Sequence, residues 1–341
     1  MLFKRNRFGI KSFMRPNGTR IKIASSALLA AVFTAAVLSG VSACTQNADP
    51  RLVTDPPVPP GKADILPMAC LPDLPPLEPS GLTKFEGRLL FVSDNRHDAA
   101  IYEVFPAEKE DKGCRNTVFI RLNAEDLEKI PKSHTLDLEG IDFWNGNFYV
   151  VDERDRFIYR VDLSGAVEQV RHDIPEYNLK HGIVFSDDPN AAFEGIAIDP
   201  GRGVFYIANE RDDPIIYVLR QTPDELVLET ERHVPMKDVL GGRSPDISDL
   251  CFDGGALYVL HRIENRILRL DPENMAVTGT FDFSSEVAGL YTSRHGYGFA
   301  EGLHLSENRI YILLDSNGTP MADTAIGFSG ALIIFDRPAD F

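Results

Sequence analysis

The chain has 341 residues, 43% of them apolar, with 35 Lys and Arg against 51 Asp and Glu, a formal charge of −16. This length and apolar content support a sizeable core. The charge excludes a nucleic-acid binder, which needs clustered Lys and Arg to displace phosphate counterions, and suits a body outside the cytoplasm or a cation binder.

Residues 1–43 read as a targeting segment. Lys4, Arg5, Arg7, Lys11, Arg15, Arg20 and Lys22 form a basic n-region without an acid, and an apolar run from Ala24 to Val41 follows. The run ends in "VSAC", where Ser42 and Ala43 precede Cys44 as in a bacterial lipobox. A lipoprotein signal peptide is therefore expected, with Cys44 acylated and becoming the new N-terminus; a signal anchor with a chance cysteine is the alternative. Acyl chains contribute about 0.8 kcal/mol per buried CH₂, so two or three hold a protein firmly on a membrane. Thr45 is not the Asp that favours inner-membrane retention. The expected location is thus the outer membrane, facing the periplasm or the cell exterior. Removing the leader takes away seven basic groups and no acids, which leaves 28 basic against 51 acidic side chains and a charge of −23. Past the leader, no apolar run is long enough to span a bilayer.

Residues 44–79 are Pro-rich and read as a semi-rigid tether. Ile65, Leu66, Met68 and Leu71 suggest that its second half lies on the body. Cys70 and Cys114 are candidates for a disulfide in an oxidising compartment. Cys251, inside an apolar strand, reads as a small buried hydrophobe.

The body, residues 80–341, is a repeat. "EGIDFWNGNFYVVDERDRFIYRV" (Glu139 to Val161) aligns without a gap on "SDLCFDGGALYVLHRIENRILRL" (Ser248 to Leu270). Equivalent units start at Ser80, Glu194 and Glu301, so the steps are 59, 55, 54 and 53 residues. Each unit has a short apolar strand, a Gly or Asn turn, a β-branched and aromatic strand, a polar loop and an alternating third strand. A more polar fourth strand follows in "TVFIRLN", "AVEQVRHD", "LVLETERHV" and "AVTGTFDF". Four strands per repeat predict an all-β protein, a β-propeller of five blades, with six as the alternative. The fifth unit ends without a fourth strand, and the tether near Ile65 to Leu71 is the candidate to supply it. One helix is predicted, in "NAEDLEKIPK" (Asn123 to Lys132).

In such a fold the start of strand one and the end of strand two meet at one channel mouth. Glu139, Glu194 and Glu301 therefore form one column, each followed by a glycine that permits close backbone packing at the axis. A second column holds Asp94, Glu153, Glu210 and Asp315. Blade four departs from the pattern, with Ser248 and Arg262 in the two columns and Asp246 and Asp249 nearby. Converging carboxylates need protons, a basic side chain or a cation. Hard oxygen donors without His or Cys at metal spacing point to Ca²⁺, with Mg²⁺ second. The candidate ligands are Glu139, Glu194, Glu301, Asp249, Glu153, Glu210 and Asp315. The alternative is that each Glu accepts backbone N–H groups from the next blade. His134, His181, His295 and Arg243 lie in loops entering strand one, and His134, Arg243 and His295 are the candidates for assisting a hydrolysis. No nucleophile elbow, H-E-x-x-H or P-loop is present.

"LEGIDF…FYVVDERDRFIYRVDL" and "FEGIAIDPGRGVFYIANERDDPIIYVL" resemble the bacterial SdiA-regulated propeller family, and "AEGLHLSENRIYILLDSNG" is similar to the related domain called esterase-like activity of phytase. The likeness spans about residues 80–337. The first family implies five blades and a calcium site, which falls here on Glu139, Glu194 and Glu301. The second implies ester or phosphate-ester hydrolysis. Three functions follow as expectations: a lipid-anchored monomer that binds calcium and recognises a small molecule, glycan or protein at the acidic mouth; a metal-assisted phosphoesterase or esterase; or a structural assembly scaffold that uses the propeller faces.

Overall fold

A computed structural model describes residues 61, 63–68, 77–94, 99–106, 113–132, 134–184, 190–210, 214–234, 246–293, 298–322 and 330–341. They form five four-stranded antiparallel sheets, the blades of a propeller. The first strand in the chain, β1 (Ala63–Pro67), belongs to the last blade. Blade one is β2 (Pro79–Phe85), β3 (Arg88–Ser93), β4 (Ala100–Pro106) and β5 (Cys114–Arg121). Blade two is β6 (Leu138–Trp144), β7 (Asn147–Asp152), β8 (Phe157–Asp162) and β9 (Val167–Val170). Blade three is β10 (Phe193–Asp199), β11 (Val204–Asn209), β12 (Ile215–Gln221) and β13 (Leu226–His233), and blade four is β14 (Ile247–Asp253), β15 (Ala256–His261), β16 (Arg266–Leu270) and β17 (Val277–Asp282). Blade five is β18 (Ala300–Leu305), β19 (Arg309–Leu314) and β20 (Ala331–Asp336), and β1 completes it.

The closure by β1 follows from its apolar residues. Ile65 pairs with Ile333 and Leu66 with Leu332, and Ile65 packs against the core between blades four and five. Part of the segment read as a tether is thus a propeller strand. Ala63 lies opposite Phe335 and Pro67 opposite Ala331. The strand therefore runs from the far face toward the face where β18 begins.

The second strand of each blade reads as a continuous apolar run because both of its faces are covered. In β7, Phe148 and Val150 join the core shared with blade one, while Tyr149 and Val151 join the core shared with blade three. The same alternation repeats around the ring, so the core is five layers between neighbouring blades.

Helix α1 (Ala124–Lys129) forms where the sequence predicts it. The Asn123 side chain accepts the N–H groups of Glu125 and Asp126, and Leu127 is the buried residue. A second helix, α2 (Ile174–His181), leads into blade three and ends at Gly182, whose φ is 72°. A short helix, α3 (Ser284–Val287), lies between blades four and five.

The expected Cys70–Cys114 bridge falls partly outside the described residues. Cys114 carries a free, buried thiol whose Sγ lies 3.3 Å from the Leu66 carbonyl oxygen, and Cys70 lies outside the described residues. A parallel bridge pairs Met68 with Cys114. Cys44 and the leader also lie outside the described residues. No described helix is long and apolar enough to cross a membrane.

Candidate functional site: an acidic channel mouth with one buried arginine

One backbone device, repeated five times, builds the mouth. The residue that follows strand two donates its N–H to the carbonyl of the residue two before the strand-one column. These bonds are Asp94 to Glu78 (3.1 Å), Glu153 to Asp137 (2.9 Å), Glu210 to Ala192 (2.9 Å), Arg262 to Asp246 (3.2 Å) and Asp315 to Phe299 (2.8 Å). Just beyond, every strand-one pairing has a register shift: at Ser80/Thr83, Leu138/Ile141, Phe193/Ile196, Ile247/Asp249 and Ala300/Gly302. A bulge re-aims the side chain it carries. This is the local reason that an acid opens an otherwise buried strand.

The glycine after each acid is required by space. A Cβ on Gly140 would stand 2.7 Å from the Glu194 carbonyl oxygen, and one on Gly195 would stand 2.8 Å from the Leu250 nitrogen. On Gly81, at a φ of +56°, it would stand 2.4 Å from the Glu139 carbonyl oxygen. Blade four alone puts a larger residue at this position, Asp249. Its carboxylate accepts the N–H groups of Leu82 (3.1 Å), Leu303 (2.7 Å) and Leu250 (2.8 Å). Asp249 is fully buried and does not line the mouth. It stitches blades one, four and five together, so it is a structural acid rather than an ion ligand. Asp142 does the same between blades two and three, taking the Ile198 N–H at 2.8 Å. Backbone binding across blades thus exists, but it falls to these two acids and not to the Glu-Gly column.

The mouth itself is a cavity of about 240 Å³. Asp94, Asp137, Glu139, Glu153, Glu194, Glu301 and Asp315 line it, with Arg262 as the one basic residue among the described ones. Two groups are tight. One ligand oxygen from each of Asp94, Asp137 and Glu139 lies within 4.8 Å of the others, and the same holds for Glu153, Glu194 and Glu210. Two ionised carboxylates at that spacing repel by about 3 kcal/mol at an effective dielectric of 20. Burial raises Glu139 well above the usual carboxylate range, and Asp94 and Glu153 add to it. Burial, then Glu210 and Glu139, does the same to Glu194. Asp94 is pushed up to about 10 by burial and then by Glu78, and Asp315 to about 7 by burial and then by Glu301.

Glu301 stands apart from this. Arg262 Nη1 donates to both of its oxygens, at 2.7 and 2.6 Å, while Nη2 donates to Asp246 at 2.9 Å and to Glu210. The guanidinium is buried, and the three acids hold its proton against the cost of burial. The three Glu-Gly acids therefore line one cavity without forming one equivalent ligand set. Arg262 neutralises Glu301 and Asp246 and also pairs with Glu210 of the second triad, while the triad of Asp94, Asp137 and Glu139 lies on the blade-one and blade-two side. On that side Ser80 Oγ donates to Glu139 at 2.5 Å, and Arg154 pairs with Asp137.

The donor set fits a hard divalent cation, since the side-chain donors of the described lining are oxygens, carboxylates above all, with Ser80, Asn190 and Asn317 beside them. Asp315 Oδ1 and Asp94 Oδ1 are buried without a hydrogen-bond partner, although Asp315 is only 5% exposed. Sequence reasoning passed over Asp137, which lies two residues before Glu139. A signal existed: Glu78 and Asp246 occupy the same place before Ser80 and Ser248.

Of the hydrolytic candidates, Arg243 and His295 lie outside the described residues. His134 is described. Its backbone N–H donates to Asp155 Oδ2 (3.1 Å) and its Nδ1 lies 3.2 Å from Asp155 Oδ1, but it does not line the cavity. His181 stacks on Tyr177 with ring centroids 4.1 Å apart.

The phytase-like family model, described as esterase-like activity of phytase, matches residues 79–325. The chain belongs to this family. Its match starts at blade one and covers all five units that carry the mouth. No curated protein matches the chain. Among solved structures it is similar to a glutaminyl cyclase of Myxococcus xanthus, at 13% identity over 82% of this chain and 99% of that chain, with a TM-score of 0.48. It is also similar to a PQQ-bound aldose sugar dehydrogenase of Streptomyces coelicolor (12% identity, 82% and 100%, TM-score 0.42) and to a gluconolactonase of Xanthomonas campestris (14%, 76% and 72%, TM-score 0.40). These likenesses are distant, and none carries an activity to this chain.

Proposed function

We propose that this phytase-like propeller binds calcium at its acidic mouth and uses the ion to hold the anionic or polyhydroxylated head of a small ligand. One observation carries the reading: five of the six acids of the two carboxylate groups, Asp94, Asp137, Glu139, Glu153 and Glu194, line one cavity, in which the Asp94 Oδ1 and Asp315 Oδ1 atoms have no hydrogen-bond partner. Asp94, Asp137 and Glu139, or Glu153, Glu194 and Glu210, would hold the ion, and Arg262 sets the limit of the site on the blade-five side. Acylation of Cys44 would anchor the protein to the bacterial membrane, the outer one by the residue that follows it. The chain enters β1 at the face opposite the acids and leaves it at the face of the mouth.

Thermal melting of the mature protein tests this reading. After EDTA treatment, Ca²⁺ at 100 times its Kd should stabilise the fold by about 2.7 kcal/mol, and Mg²⁺ at the same concentration by less. An unchanged melting temperature rejects the site. A second reading, metal-assisted ester hydrolysis, is favoured by the family match, and His134, held by Asp155 in the loop that enters blade two, is the described candidate to assist it. A bound cation would supply a Lewis acid there. Turnover of aryl esters or aryl phosphates that is lost in Glu194→Gln and in His134→Ala would favour this reading over binding alone.

A further inference from the structure

The face opposite the mouth carries a groove of about 460 Å³, every lining residue of which is described. Three hairpin turns wall it: the β10–β11 turn of blade three, and the β14–β15 and β16–β17 turns of blade four. Phe252, Ala256, Leu270 and Pro272 supply its apolar surface. The half-buried Phe252 ring stacks on Tyr206, with centroids 5.9 Å apart and planes 9° apart.

The charges along the groove single out one group. Arg202 pairs through Nε with Asp199 and through Nη1 with Glu273, and its Nη2 donates to the Tyr206 hydroxyl at 3.1 Å. That fork ties the blade-three turn to a blade-four turn. Asp271 accepts the Glu273 N–H at 2.8 Å and so closes its own turn. Each acid of the lining therefore has a partner. Arg269 has no acidic one: among the described residues its side chain donates only to the Asp340 carbonyl oxygen, through Nη1 at 3.1 Å. A chain with 51 acidic against 35 basic side chains thus leaves one guanidinium of this groove without a carboxylate.

The unmatched charge and the ring beside it define what would fit. A guanidinium presents planar N–H donors that match a carboxylate, and such charge-assisted bonds are stronger than neutral ones. A half-buried aromatic ring offers an apolar surface to a flat apolar group. The volume falls within the range of pockets for organic ligands, about 300 to 1,000 Å³.

We infer that this groove is a second ligand site, for an organic carboxylate with a flat apolar body, the carboxylate on Arg269 and the body against Phe252 and Leu270. The site is separate from the mouth, because strand one of blades three and four starts at the mouth and ends at the groove. It does not depend on the calcium reading.

The test titrates 2-naphthoate and its neutral isostere 2-naphthamide into the mature protein by calorimetry. EDTA is present throughout, so that no calcium ion at the mouth can take the carboxylate. Naphthoate should bind saturably and about tenfold tighter than naphthamide or more, the gain of a charge-assisted over a neutral hydrogen bond. Arg269→Gln should bring naphthoate down to the naphthamide level and leave naphthamide affinity unchanged. Thr278→Trp, at an exposed wall position, should block both probes without lowering the melting temperature. Absence of saturable naphthoate binding in the wild type, or equal affinity for the two probes, overturns the site. So does naphthoate affinity that survives in either variant, or an equal loss of both probes in Arg269→Gln.

Discussion

At the scale of single residues, Arg262 decides what the mouth can hold. It sits where the other blades place an acid, and it is paired with Glu301, Asp246 and Glu210. Removing one partner of a buried ion pair leaves the other uncompensated, at a cost of about 3–5 kcal/mol. Arg262→Met should therefore destabilise the fold by that order in urea unfolding. Calcium should then stabilise the variant more than the wild type, because it gains three acids with no internal cation. A calcium effect equal to the wild-type one would show that the Arg262 pole and the ion site are independent. His261 provides a second residue-scale prediction. It is buried, neither ring nitrogen has a hydrogen-bond partner, and burial, then Arg266, depress it to about 4. Its unfolded value is about 6.5, so between pH 6.5 and 4 the unfolded state binds the extra proton and stability falls as the pH falls. The full contribution, about 3 kcal/mol, is present above pH 6.5 and lost below pH 4. Buried Asp142, raised to about 6, works in the opposite direction, so the term is read as the difference between wild type and His261→Leu across that window. Parallel stability profiles for the two proteins would contradict the assignment.

At the scale of elements, the propeller depends on the bulge-and-glycine device and on ring closure. Gly195→Ala pushes a methyl against the backbone at Asp249 and Leu250, 2.8–2.9 Å away. Overpacking of this kind costs about 1–3 kcal/mol, and the backbone can yield little because Asp249 is held by three N–H bonds. The matched control is Gly146→Ala, in the β6–β7 turn at a φ of +81°, where no atom lies within 4 Å. It should cost only the strain of a left-handed alanine, about 1–2 kcal/mol, and leave calcium binding intact. Gly195→Ala should weaken calcium binding as well, because it moves Glu194. Closure is tested by truncation. A chain starting at Gly61 keeps β1 and should melt cooperatively. One starting at Met68 leaves β20 as an open edge and should melt lower, over a broader range, or aggregate. Equal melting curves would show that β1 is dispensable.

For the whole molecule, the repeat made the architecture readable. Blade number, the fourth strands and the closing strand from the N-terminal segment follow from spacing and alternation, because each blade repeats one burial pattern. The acidic mouth was readable for the same reason: columns in the alignment are columns in space. What the sequence did not carry was the division of labour among the acids. Whether an acid meets a carboxylate, a guanidinium or a backbone N–H depends on distances across blades. Asp249 and Glu301 look alike in sequence yet end with different partners, three N–H groups for one and Arg262 for the other. Asp137 was missed because it precedes the strand rather than opening it.

The central claim is that the buried carboxylates of blades one to three hold a calcium ion. The most direct measurement is calorimetric titration of Ca²⁺ into the EDTA-stripped mature protein, wild type and Glu194→Gln side by side. The account predicts saturable binding in the wild type and a loss of at least tenfold in affinity in Glu194→Gln, with both proteins folded by circular dichroism. Absence of saturable binding in the wild type, or wild-type affinity in Glu194→Gln, would contradict it.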